Sequence, residues 1–151
     1  MKILFYINSP ASYQFDFFES LKKKKINFHV VYQNKEIKNF KWKFEKNNWS
    51  TYLGKKNSKI EFIELLKKLS PNTIVLGGYN LKLNYLLKKF PNINKIYWLE
   101  RVNESNFIKS IIRRKILSNK LKDASAILAI GNKAKNFYLK FNKRVFNLPY
   151  S

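Results

Sequence analysis

The chain has no cysteine, so it can form neither disulfides nor thiolate metal sites. With a single histidine, His29, a His/Cys zinc site and a Cys–His catalytic pair are both excluded. Only two aspartates occur, Asp16 and Asp123, and they are far apart, so an Asp-x-Asp metal pair is missing. Glycine is scarce, and none of the four lies in the turn that leaves the first apolar run. That turn therefore carries neither Gly-x-Gly-x-x-Gly nor a P-loop, which argues against a dehydrogenase or a kinase. No apolar run approaches the ~20 residues of a membrane-spanning helix. No signal-like segment precedes the first strand, so the expected location is cytoplasmic, soluble or peripheral on the inner face of the membrane.

What is abundant is positive charge, with 31 Lys and Arg against 9 Asp and Glu giving a net +22. A surplus of this size attracts phosphates, whether of nucleic acid, anionic lipid or nucleotide sugars. Arginine is found only at positions 101, 113, 114 and 144, while Lys, Asn and Ile are plentiful. These three share AT-rich codons, so composition alone leaves genomic drift open as a source of the charge. A hydrophobic share of 45% with 17% aromatics fits one packed domain over residues 1–151.

The run Lys2–Ile7 is unbroken and apolar, followed by Asn8-Ser9-Pro10-Ala11-Ser12 and a helix over Tyr13–Lys24. This reads as the buried central strand of a parallel sheet, with a ligand site beyond its C-terminal end. A second strand follows over Ile26–Tyr32, in which His29 reads as structural or exposed. Residues 33–57 are irregular. There Phe40, Trp42 and Phe44 alternate with charged residues, suggesting an edge strand or a hairpin turning at Asn47-Asn48. Ser58 and Glu61 form a capping-box pattern for a helix that ends before Pro71. Strands over Thr73–Leu76, Lys95–Leu99, Ala126–Ile130 and Val145–Leu148 then alternate with helices over Leu81–Phe90, Ser105–Lys122 and Lys133–Phe141. Repeated β-α-β units with right-handed crossovers predict an α/β, Rossmann-like parallel sheet of about six to seven strands, with helices on both faces.

In such a sheet the candidate site residues are those at the strand ends: Asn8, Ser9, Ser12, Gly77, Gly78, Tyr79, Asn80, Arg101, Gly131 and Asn132. Glu100 is the single carboxylate ending a strand and is the candidate general base or hydroxyl-orienting group. Arg101 beside it could hold a phosphate or salt-bridge it. The helix over Ser105–Lys122 is apolar around most of its girth, with Lys109, Arg113 and Lys120 on a narrow stripe. That pattern suits either an anionic membrane surface or ordinary packing with solvated lysines.

Several local strings resemble the N-terminal, acceptor-side domain of a GT-B glycosyltransferase of the family 4 kind. They are Ser70-Pro71-Asn72-Thr73-Ile74-Val75-Leu76-Gly77-Gly78-Tyr79, then Tyr97-Trp98-Leu99-Glu100, the helix with Arg113-Arg114, and Asp123 through Gly131 to Leu148-Pro149-Tyr150-Ser151. The resemblance implies a hexosyl-type, metal-independent transferase with a nucleotide-sugar donor as substrate and no further cofactor. It implies a glycan or lipid-linked acceptor, contact with an anionic membrane surface, and no call for nucleic acid. Two departures stand out. The glycine-rich first loop is Asn8–Ser12 here, and the donor-binding domain with its paired glutamates is absent. The expectation is half an active site, completed by a missing domain or separate subunit and inactive alone. The alternative is a basic non-enzymatic α/β module that binds nucleic acid or anionic membrane.

Overall fold

The computed structural model describes residues 2–34, 47–54, 58–78, 81–100 and 115–148. They form one seven-stranded sheet in the order β3-β2-β1-β4-β5-β6-β7, and every neighbouring pair is parallel. The strands are β1 (Ile3–Ile7), β2 (Phe28–Tyr32), β3 (Ser50–Tyr52), β4 (Thr73–Gly77), β5 (Asn94–Leu99), β6 (Ala126–Ala129) and β7 (Val145–Asn147). The helices are α1 (Ser12–Lys23), α2 (Ser58–Leu69), α3 (Leu81–Leu87), α4 (115–121) and α5 (Asn132–Tyr138).

The apolar β1 sits at the centre because both its faces can be buried, pairing Leu4 with His29 of β2 and with Ile74 of β4. Right-handed crossovers then assign the helices to faces. The connection from β1 to β2 moves one way across the sheet and puts α1 on one face. There Phe18 packs with Phe5, Val30, Trp49, Val75 and Trp98. Connections that step the other way put α2, α3, α4 and α5 on the opposite face, over Leu4, Tyr6, Ile74, Leu76, Tyr97 and Ile127. The helices run against the strands, so their C-terminal ends gather at the rim where strands begin. The last turns of α1 and α2 hold Lys22, Lys23, Lys67 and Lys68, where cations suit the helix dipole.

One local expectation changes. Ser58 is the first helical residue of α2 rather than its cap. The Glu61 carboxylate does not close a capping box there; it accepts the Gly54 N–H at 2.7 Å, tying the chain after β3 to the helix. The described edge strand is Ser50–Tyr52, held against β2 from Val30↔Ser50 to Tyr32↔Tyr52. The alternating stretch Phe40–Phe44 lies outside the described residues. His29 is structural: its Nε2 is 2.8 Å from the Thr51 hydroxyl, and burial, then Lys2 and Lys68, lowers its pKa.

Candidate functional site

The strand order reverses at β1 and β4, because the chain builds β2 and β3 on one side and β4 to β7 on the other. Two diverging connections leave a crevice beyond the C-terminal ends of these strands, where open α/β sheets bind ligands. A cleft of about 430 Å³ lies there. Its floor is Ile7 at the end of β1 with Asn8 and Ser9 after it, Gly77 and Gly78 at the end of β4, and Trp98, Leu99 and Glu100 at the end of β5. Tyr13 and Gln14 come from α1, Leu117 from α4, Ile130 from beyond β6 and Tyr138 from α5.

The floor depends on glycine at two points. A Cβ on Gly77 would stand 3.3 Å from Ile7 Cγ1 and 3.4 Å from the Tyr6 carbonyl, so a side chain there would require β1 to give by a few tenths of an ångström. Gly78 has φ +89°, a left-handed conformation that glycine adopts freely, and its N–H donates to the Trp98 carbonyl at 3.0 Å. Opposite them, Gln14 is buried and accepts the Ala11 N–H at its side-chain oxygen (3.2 Å), which fixes the start of α1 against the first turn. The Asn8 carbonyl accepts the Asn34 N–H at 2.8 Å, anchoring that turn to the end of β2.

Glu100 is an exposed side chain at the cleft rim, one residue beyond β5. Its carbonyl accepts the Tyr138 hydroxyl at 2.7 Å, so α5 pins the backbone that presents the carboxylate. Tyr138 is 1% exposed, and burial followed by the nearby Glu100 charge pushes its pKa up to about 12. The Trp98 indole N–H is also buried, with no acceptor among the described residues. A buried donor left unmet costs on the order of 1–3 kcal/mol.

Of the residues singled out in the sequence, the cleft brings together Asn8, Ser9, Gly77, Gly78 and Glu100. Ser12 is exposed in the first turn of α1, outside the lining. Gly131 and Asn132 lie beyond Ile130, and the Asn132 side-chain oxygen accepts from Asn147 at 2.9 Å. Tyr79, Asn80, Arg101, Lys109 and Arg113 fall outside the described residues. Lys120 is half-buried on α4. Tyr13, Gln14, Trp98, Leu117 and Tyr138 were not legible as site residues. Among the described residues, no three His, Cys, Asp or Glu side chains group closely enough to hold a metal ion. No helix among them is long and apolar enough to cross a membrane.

The Tyr138 hydroxyl gives a testable pH dependence. The native chain keeps this phenol neutral to about 12, whereas an unfolded tyrosine ionises near 10. Its contribution is therefore complete below pH 10 and disappears as pH rises through 12, at up to ~1.4 kcal/mol per pH unit. Tyr138→Phe is expected to cost about 1 kcal/mol at neutral pH and to flatten the loss of stability between pH 10 and 12. Urea midpoints across that range check it. An alkaline loss as steep as in the wild type would remove Tyr138 as a source.

This arrangement defines a class first: a parallel, doubly wound α/β domain with an open cleft at its switch point. It is similar to a solved alpha-glucosyltransferase in complex with UDP and a 13-mer DNA containing a HMU base, at 14% identity with a TM-score of 0.56. The likeness covers 99% of this chain and 42% of that one, so the chain spans less than half of that neighbour's length. The fold is therefore glycosyltransferase-like. No family model matches the chain, and no curated protein matches it.

Proposed function

We propose that the chain is the acceptor-side, N-terminal-type lobe of a two-lobed GT-B glycosyltransferase, close to the family 4 kind. It works with a donor-binding lobe supplied from outside these 151 residues. The observation that carries this reading is the cleft at the β1/β4 switch point with Glu100 on its rim. In this reading Glu100 orients or deprotonates the acceptor hydroxyl, and Asn8 and Ser9 hydrogen-bond the acceptor. The Tyr13 and Trp98 rings offer apolar walls suited to the face of a sugar. Arg101, next in sequence to Glu100, would meet donor phosphate. In this reading the transfer is hexosyl and needs no metal.

UDP in the solved neighbour makes UDP-sugars the first donors to try, and its DNA sets an HMU-containing oligonucleotide beside glycans among the acceptors. The test is an amide-shift titration of the purified chain with such acceptors, run beside a turnover assay. Acceptor-dependent shifts at Asn8, Gly78 and Glu100, with no turnover of nucleotide sugar, are expected. Robust turnover by the isolated chain would overturn the half-site reading. Shifts confined to other surfaces would overturn the cleft. A second reading, a non-enzymatic basic module on anionic membrane, rests on the net charge of +22. It predicts vesicle binding that disappears when Lys109, Arg113 and Lys120 are neutralised together.

A further inference from the structure

The cations are not spread evenly over the described residues. At the rim where strands begin, opposite the cleft, Lys68 closes α2, and Lys89 follows α3 in the turn toward β5. Lys143 and Arg144 precede β7, Lys25 precedes β2 and Lys2 precedes β1. All except Lys2, which is half-buried, are exposed. Asp123 is the acid in the turns at this rim, and Lys22 pairs with Glu19 at 3.9 Å.

Helix dipoles reward cations in the last helical turn and no further, so they account for Lys68. They do not account for Lys2, Lys143 or Arg144, which sit at strand entrances. Nor do they account for lysine at position 25, where φ is +55° and glycine is the usual choice after a helix. The field is felt locally: the lowered pKa of His29 has Lys2 and Lys68 among its causes, although they come from different elements.

We infer that this strand-entrance rim is a second binding surface, for the phosphate backbone of a nucleic-acid duplex, separate from the cleft. Seven strands ~4.8 Å apart make a strip of about 29 Å, which matches about 8 phosphates along one strand of a duplex. The cations are almost all lysine, which contacts phosphate as a point charge and reads no sequence. An interfacial membrane surface needs apolar side chains among its cations. Ile60 and Tyr85, the most exposed apolar residues, lie instead in the first turn of α2 and the middle of α3, and the turns of this rim expose two separate large apolar side chains, Ile26 and Leu139, against their row of cations. The inference does not depend on sugar transfer, because the cleft opens at the other ends of the strands.

The test is fluorescence anisotropy of a labelled mixed-sequence DNA duplex with the full chain, over a series of KCl concentrations. Two triple variants are compared. Lys68→Glu, Lys89→Glu and Lys143→Glu alter the rim. Lys59→Glu, Lys115→Glu and Lys133→Glu change net charge equally near the starts of α2 and α5 and at the first described residue of α4. The two sets lie toward opposite ends of the helices, so a local surface distinguishes them. The rim variant is expected to lose ~tenfold or more in affinity, and its salt slope to fall by about 3 contacts, while the other changes little. Protection of Lys68, Lys89 and Lys143 from amine acetylation by the duplex gives the same answer in the wild-type chain. Equal losses in both variants, no duplex binding at low salt, or binding to phosphatidylserine vesicles without duplex binding would each overturn it.

Discussion

Replacing Phe18 by alanine is expected to destabilise the chain by about 3–5 kcal/mol, the largest loss of any single side chain in the α1 face. Phe18 is 0% exposed, and its ring is 5.0 Å from Phe5, 5.5 Å from Phe17, 5.6 Å from Trp49 and 5.7 Å from Phe28. The Phe28 contact is stacked and the Phe5 contact edge-on, so no neighbour can move into the vacated volume without losing another ring contact. On this face α1 is the described helix that covers the sheet, and nothing else among the described residues compensates. Against a total stability of about 5–15 kcal/mol, the loss lowers the melting temperature on the order of 10 °C. Calorimetry with urea titration measures it. Because α1 also carries Tyr13 and Gln14 to the cleft, ligand-induced shifts should weaken at temperatures where the variant is still folded. A loss below 1 kcal/mol would show that the rings do not pack as tightly as these distances state.

The sequence made the central part of this fold legible because its strands are largely buried. Ile3–Ile7 and Thr73–Gly77 are mostly apolar runs between turn signals, Asn94–Leu99 is one from Ile96 onward, and their expected bounds were off by no more than a residue at either end. β3 was illegible for the opposite reason: Ser50, Thr51 and Tyr52 are all half-buried, and three residues show no periodicity. Their strand state comes from the β2 edge and from buried Trp49, whose carbonyl accepts the Val30 N–H at 2.9 Å. The site divides the same way. Asn8, Ser9, Gly77, Gly78 and Glu100 could be found because strand ends in a parallel sheet share one rim. Tyr138 and Gln14 could not, since their position depends on how α5 and α1 roll against the sheet, which no local pattern encodes. Gly131 carries the strand-end signal and a φ of +81°, yet it does not line the cleft, although Ile130 just before it does.

On the proposed reading, Glu100→Gln in the chain paired with a donor-binding lobe is expected to reduce sugar transfer by 10²–10⁴ at unchanged stability. The amide keeps the shape of the side chain and removes its ability to take the acceptor proton. The side chain is exposed, and the Tyr138 bond goes to the Glu100 backbone carbonyl, which the substitution leaves in place. Three roles separate in the kinetics. A general base loses kcat at nearly constant KM, and the acid limb of its pH–rate profile goes with the carboxylate. A group that only orients the hydroxyl raises KM and keeps the limb. A carboxylate that only pairs with a neighbouring cation changes melting temperature and leaves both constants alone. Glu100→Asp distinguishes further, since it retains the proton acceptor but draws it back by one methylene. A base should then recover part of the pH limb with reduced kcat, because proton transfer needs heavy atoms ~2.6–3.2 Å apart. The measurement is initial rates across pH in cells where variant chains replace the wild type, with chain levels matched. Wild-type turnover by the glutamine variant would remove Glu100 from the chemistry and leave the cleft as a binding site alone.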